Sequence, residues 1–76
     1  MKNTIQVQRK TKGLSQEELA QKCKVSRQTI NAIENDKYDP SLQLAFALAY
    51  VLEHPIEKLF IFKYERDDIN DNGKKS

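Results

Sequence analysis

Four side chains near the middle of this 76-residue chain have the chemistry of a reader: Arg27, Gln28, Asn31 and Asn35. At about 100° per residue, a helix would gather them within about one third of its circumference. Ile30 and Ile33 would lie opposite that sector or flank it. A guanidinium and carboxamides are the groups that form paired hydrogen bonds to guanine and adenine edges in the major groove of DNA. The plainer alternative is a solvated helix face, but such faces more often carry Glu and Lys in pairs four residues apart. Residue types and spacing together favour nucleic acid.

Positioning these groups requires a defined helix, and the chain supplies two helix starts eleven residues apart. Ser15 followed by Glu18 forms a capping box, in which hydroxyl and carboxylate satisfy amide donors at a helix N-terminus. Ser26 offers a second cap ahead of residues 27–35. Leu19, Ala20 and Cys23 share one face of the first of these helices, as Ile30 and Ile33 do in the second. Val25 sits in the short connection and can plug the angle between them. Two short helices joined in this way make a helix-turn-helix.

At these residues the chain resembles a known family. Leu14-Ser-Gln-Glu-Glu-Leu-Ala, Val25-Ser-Arg-Gln-Thr-Ile and Ile33-Glu-Asn look like the Cro/CI-type helix-turn-helix repressors, also called the xenobiotic-response-element family. The similarity continues through Tyr38-Asp-Pro-Ser-Leu-Gln-Leu-Ala and Ile56-Glu-Lys-Leu-Phe, so it covers about residues 5–60. Compact length and an aromatic extension after Phe60 look most like the small cytolysin-operon repressor subgroup, whose members are dimers.

The resemblance implies an all-α, five-helix, lambda-repressor-like DNA-binding bundle. It also implies a short antiparallel β-ribbon between the N-terminus and residues 60–64, and an ion pair joining Arg9 to Glu34. Gln16, Ser26 and Thr29 join Arg27, Gln28, Asn31 and Asn35 in the expected DNA-binding set. Lys37 and Tyr38 fall in the loop that lies along the DNA backbone in relatives, where an ammonium and a phenol suit phosphate oxygens. Tyr38 is equally suited to packing on the bundle. The sequence departs from the family at three places. Gln8 stands where relatives carry Leu, so either Val7 takes over that packing or the first helix sits less firmly. Lys24 and Asp36 replace glycines at turns whose backbone tends toward positive φ, at a strain of about 1 kcal/mol.

The remaining chain supplies the scaffold. Asn3 or Thr4 caps a first helix that runs to about Lys12 and stops at Gly13. Ser41 starts residues 42–52, which are apolar except at Gln43 and Tyr50, and a helix apolar nearly all round must be covered nearly all round. Pro55 opens a last short helix at Ile56. The part of the long helix not needed for the core, with Leu52, Pro55, Ile56, Phe60 and Phe62, is the expected homodimer interface. Phe60, Phe62 and Tyr64 share one face of a β-forming stretch. Residues 1–64 are expected to form one DNA-binding and dimerisation domain, followed by a polar, disordered tail over 65–76.

Composition narrows the function classes. The net charge of +2 is permissive for DNA but not diagnostic. A single cysteine excludes an intrachain disulfide and fits a reducing compartment, with Cys23 read as a small buried hydrophobe rather than a redox thiol. His54 is alone and reads as a loop residue. One His, one Cys and no phosphate-cradling Gly-rich loop argue against an enzyme, a metal or a cofactor. Neither a membrane span nor a signal-peptide pattern is present, so a cytoplasmic protein is expected. The leading expectation is a sequence-specific repressor that binds double-stranded DNA at an inverted repeat as a homodimer. No small-molecule ligand is expected. The competing reading is an antitoxin or anti-repressor that acts mainly through protein–protein contact.

Overall fold

The computed structural model describes residues 1–62. The expected placing of Tyr64 on one face with Phe60 and Phe62, and the expected disorder of residues 65–76, lie outside the described residues. Among the described residues five helices carry the fold: α1 (Ile5–Thr11), α2 (Gln16–Cys23), α3 (Arg27–Glu34), α4 (Leu42–Leu52) and α5 (Ile56–Leu59). A two-stranded antiparallel ribbon joins β1 (Lys2–Asn3) to β2 (Phe60–Ile61), with Lys2 opposite Ile61 and Asn3 opposite Phe60.

Local chemistry explains the helix starts. Ser15 accepts from the Glu18 amide (3.0 Å), and the Glu18 carboxylate accepts from the Ser15 amide (2.8 Å), completing the capping box. Hydrogen bonding to the carboxylate from the Ser15 backbone first, and from its hydroxyl second, holds the Glu18 carboxyl below its ordinary range. Ser26 and Ser41 cap α3 and α4 through the amides of Thr29 (3.2 Å) and Leu44 (3.1 Å). At α1 the work is divided. The Asn3 carboxamide accepts from the Ile5 amide (3.1 Å), while the Thr4 hydroxyl turns away to the Lys58 carbonyl (3.3 Å).

The first four helices end in the same way, on a residue with positive φ: Gly13 (74°), Lys24 (61°), Asp36 (62°) and Glu53 (54°). Each turn lets the next amide reach back to close the helix. Leu14 donates to Arg9 (3.0 Å), Val25 to Ala20 (3.0 Å), Lys37 to Ala32 (2.9 Å) and His54 to Ala49 (3.1 Å). The bonds satisfy carbonyls that a helix terminus leaves without partners. Lys24 and Asp36 thus adopt the backbone expected of glycine, and Glu53 is a third such residue that the sequence reading passed over.

Ile5, Leu19, Ile30, Ile33, Leu48 and Leu59 form the fully buried centre, each worth about 1.5–3 kcal/mol relative to exposure. α2 packs against both α3 and α4, and α4 against α5. Cys23 is buried beside this core, and burial pushes its thiol pKa up, as expected for a small hydrophobe. Two expectations are narrowed and one is corrected. Of the two alternatives at position 8, packing by Val7 is excluded, since Val7 is 61% exposed and Ile5 and Arg9 are the residues α1 buries. Within one subunit the long helix is covered on one side, and Leu42, Phe46 and Tyr50 form an exposed stripe with a spacing of four. Leu52 is only 2% exposed and belongs to the monomer core, so it offers no surface to a second subunit.

The left-handed cap at Lys24 carries strain that a side chain does not relieve. Replacing Lys24 with Gly should therefore raise stability by about 1 kcal/mol, read as a higher urea midpoint at unchanged slope. An unchanged or lower midpoint would show that the turn is not strained.

Candidate nucleic-acid interface

α3 presents two chemically opposite sides. Ile30 and Ile33 are buried on one, while Arg27, Gln28 and Asn31 are exposed on the other and line one shallow depression. The separation follows from the 3.6-residue period acting on this sequence. Asn35 follows α3 as its C-terminal cap, and its amide donates to the Asn31 backbone carbonyl (2.8 Å) and side-chain oxygen (3.3 Å). Thr29 and Ser26 meet at the N-terminus of α3, their hydroxyls 3.0 Å apart. Lys37 and Tyr38 are exposed in the segment after α3. No packing of Tyr38 into the core accompanies that position.

What holds α3 in place is polar and buried. Arg9 donates through Nε to Glu34 Oε2 (2.7 Å) and through Nη2 to Glu34 Oε1 (3.2 Å). Its remaining nitrogen, Nη1, donates to the Leu14 carbonyl (2.8 Å). The two side chains are 9% and 2% exposed, so this fork is a dehydrated ion pair rather than a surface contact. Its net contribution to stability is small because burial costs both charges their water, but it fixes geometry strongly. One arginine ties α1 to the loop before α2 and to the end of α3. A second tie comes from Asn3, whose amide donates to the Ile33 carbonyl (2.8 Å) and anchors the ribbon at the same end of α3.

Gln16 adds a link that sequence reasoning did not find. Its Nε2 donates to Glu34 Oε1 (3.0 Å), and its Oε1 lies 3.5 Å from Asn31 Nδ2. The ion pair therefore continues outward, through Gln16, to the exposed face of α3. The only sequence signal was Gln16 at the first position of α2, which carries no mark of a partner in α3. Of the expected DNA-binding set, the structure brings Arg27, Gln28 and Asn31 together and joins Gln16, Asn31 and Asn35 by hydrogen bonds. Ser26 and Thr29 bond to each other at the start of α3, and Lys37 and Tyr38 are exposed in the segment that follows it.

The expected dimer residues lie elsewhere. Ile56, Phe60 and Phe62 line an apolar groove with Pro40, Leu42 and Ala45, and exposed Pro55 precedes it. Among the described residues, no group of His, Cys, Asp and Glu is arranged to hold a metal ion. No described helix is long and apolar enough to cross a membrane.

Two capped helices meeting at a left-handed turn, with a polar face on the second, define a helix-turn-helix domain. The chain belongs to the Cro/CI-type helix-turn-helix family, whose helix-turn-helix model matches residues 5–59. It is 53% identical over 68 residues to an uncharacterised HTH-type transcriptional regulator of Methanocaldococcus jannaschii, covering 90% of this chain and all of that protein. It is 38% identical over 65 residues to a Bacillus subtilis regulator of the same description, covering 86% of this chain and 98% of the relative. Among solved structures, the N-terminal DNA-binding domain of SinR from Bacillus subtilis superposes with a TM-score of 0.69 at 34% identity, covering 80% and 90% of the two chains. A hypothetical transcription factor from Neisseria gives 0.70 at 29% identity, covering 90% of this chain and 76% of that one. These are families of regulators, not of enzymes.

Because the ion pair is buried, removing one partner leaves an uncompensated charge. Arg9→Met or Glu34→Leu alone should each cost about 3–5 kcal/mol, whereas the double substitution should recover much of that loss. Urea unfolding of the four proteins in a double-mutant cycle measures the coupling, and strictly additive effects would refute it.

Proposed function

We propose that this transcriptional regulator is a sequence-specific repressor that binds an inverted repeat in DNA as a homodimer, in the cytoplasm. The observation that carries the reading is the outward face of α3, where Arg27, Gln28 and Asn31 are exposed together on a helix whose other side is locked in the core. A recognition helix needs both properties: groups that pair with base edges and a rigid seat that holds them in register. Arg27 suits guanine, and Gln28 and Asn31 suit adenine. Ser26, Thr29 and Lys37 are suited to phosphate, as is the Tyr38 phenol; such contacts set register and carry most of the salt dependence.

The apolar groove at Ile56, Phe60 and Phe62 supports a two-fold interface, because a second copy would cover surface that the monomer leaves in water. The exposed Leu42 side chain borders the same groove and extends that surface along α4. An isologous dimer would direct both recognition helices to one side of the DNA.

Arg27→Ala and Gln28→Ala should each weaken binding to a selected operator by about 1–3 kcal/mol while changing affinity for random DNA little. Lys37→Ala should weaken both alike and flatten the salt slope by about one unit. Equal losses on operator and random DNA for the first two variants would remove the base-reading role and favour a protein-interaction module.

The dimer is tested independently. Sedimentation should report a dimer at micromolar protein, and Ile56→Asp should shift it to monomer and lower operator affinity. Sites selected from random DNA should show half-site centres about 10 base pairs apart. A wild-type protein that remains monomeric at millimolar concentration and binds one half-site tightly contradicts this arrangement.

A further inference from the structure

Asn31 is exposed, yet its carboxamide is held at both ends. On one side Gln16 Oε1 faces Asn31 Nδ2 at 3.5 Å, and on the other Asn35 Nδ2 donates to Asn31 Oδ1 at 3.3 Å. A free asparagine amide can turn over, exchanging donor and acceptor with almost no change of shape. Here each neighbour is itself prevented from turning. Gln16 must direct its NH2 toward Glu34 Oε1 (3.0 Å), because a carboxylate oxygen paired with Arg9 only accepts. That leaves the Gln16 oxygen facing Asn31. Asn35 must direct its NH2 toward the Asn31 backbone carbonyl (2.8 Å), which also only accepts. The same NH2 then faces the Asn31 side-chain oxygen.

Turning the Asn31 amide over would set oxygen against oxygen at Gln16 and NH2 against NH2 at Asn35. The 3.5 Å contact is long, but its polarity is dictated by the 3.0 Å bond behind it. Two acceptor-only anchors, one of them a carboxylate whose side chain is 2% exposed, therefore define one order of donor and acceptor on the outer face of α3. One hydrogen on Nδ2 and one lone pair on Oδ1 remain for a ligand.

We infer that Gln16 and Asn35 are positioning residues that set the polarity of the Asn31 amide before DNA binds, so that the buried Arg9–Glu34 pair decides which way round an A·T pair is read. The inference rests on the proposed reading of Asn31 as a base-contacting residue. Adenine presents N7 as acceptor beside N6–H as donor, and inverting the base pair reverses that order and brings the thymine methyl to the N7 side. An amide of preset polarity matches one orientation. An amide free to turn loses much of that selectivity.

The test compares an operator selected from random DNA with the same operator in which the A·T pair under Asn31 is inverted to T·A. Wild-type protein should prefer one orientation by about 5- to 150-fold, the range of a good bidentate contact. Gln16→Met and Asn35→Ala should each reduce the ratio, and the double variant should bring it toward parity while preferences at the Arg27 and Gln28 base pairs persist. In the free protein, 15N relaxation of the Asn31 side-chain amide should be restricted in wild type and fast in the double variant, with thermal unfolding showing that both are folded. An unchanged ratio in the double variant, even with a uniform loss of affinity, overturns the inference. So does loss of preference at every base pair, which would mean a loosened helix, or an Asn31 amide equally mobile in both proteins. Asn31→Ala separates the two levels. If it leaves the selected site unaltered, the base-reading role of Asn31 fails and this inference falls with it, whereas altered selection with an unchanged double variant refutes the positioning alone.

Discussion

A dehydrated ion pair organises this domain. Arg9 and Glu34 are 25 positions apart in sequence, yet the fork between them measures 2.7 and 3.2 Å and is almost inaccessible to water. Placing two charges in the interior costs much of what their attraction returns. The gain is in direction: the guanidinium has planar, fixed donors, and three of its nitrogens are engaged with α3 and the loop before α2. Apolar packing at Ile30 and Ile33 holds α3 against the core but would tolerate small rotations. Directed hydrogen bonds tolerate them less, so the ion pair fixes the rotation at which α3 presents its outer face.

The same pair connects the interior to the outer face. Glu34 has an acceptor left for Gln16, and Gln16 reaches Asn31, so a buried carboxylate orders an amide in solvent. The apolar side of the molecule follows a looser rule. α4 supplies Leu44, Ala45, Leu48 and Leu52 to the core and leaves Leu42, Phe46 and Tyr50 in water. Hydrophobic burial is proportional to area and has little directional demand, so this helix can carry more apolar surface than one small domain covers.

Local features were legible in the sequence because their physics is local. The capping box at Ser15 and Glu18 and the caps at Ser26 and Ser41 depend on residues three positions apart, and the structure contains each. The positive-φ turns at Lys24 and Asp36 were readable against the family pattern, whereas Glu53 was not, because neither it nor its neighbours announce a left-handed residue. Packing was harder to read. Val7 was a reasonable substitute for a missing leucine by composition, but the direction of α1 against the bundle puts it in solvent.

The sequence by itself determined five helices, the turn between the second and third, the polar face of α3 and the identities of the paired Arg9 and Glu34, the last through a family pattern rather than through periodicity. Period and capping act over one or two turns, so a linear string contains all they need. Only the tertiary structure decided which side of α4 faces the core, placing Leu52 inside and Phe46 outside. Gln43 and Tyr50 mark a solvent side, but no polar residue separates Leu42 and Phe46 from the buried leucines, and the packing of α2 and α5 draws that boundary instead. Tertiary structure also decided that Gln16 would meet Glu34 and Asn31. That meeting depends on the angle between α2 and α3, which no residue spacing records.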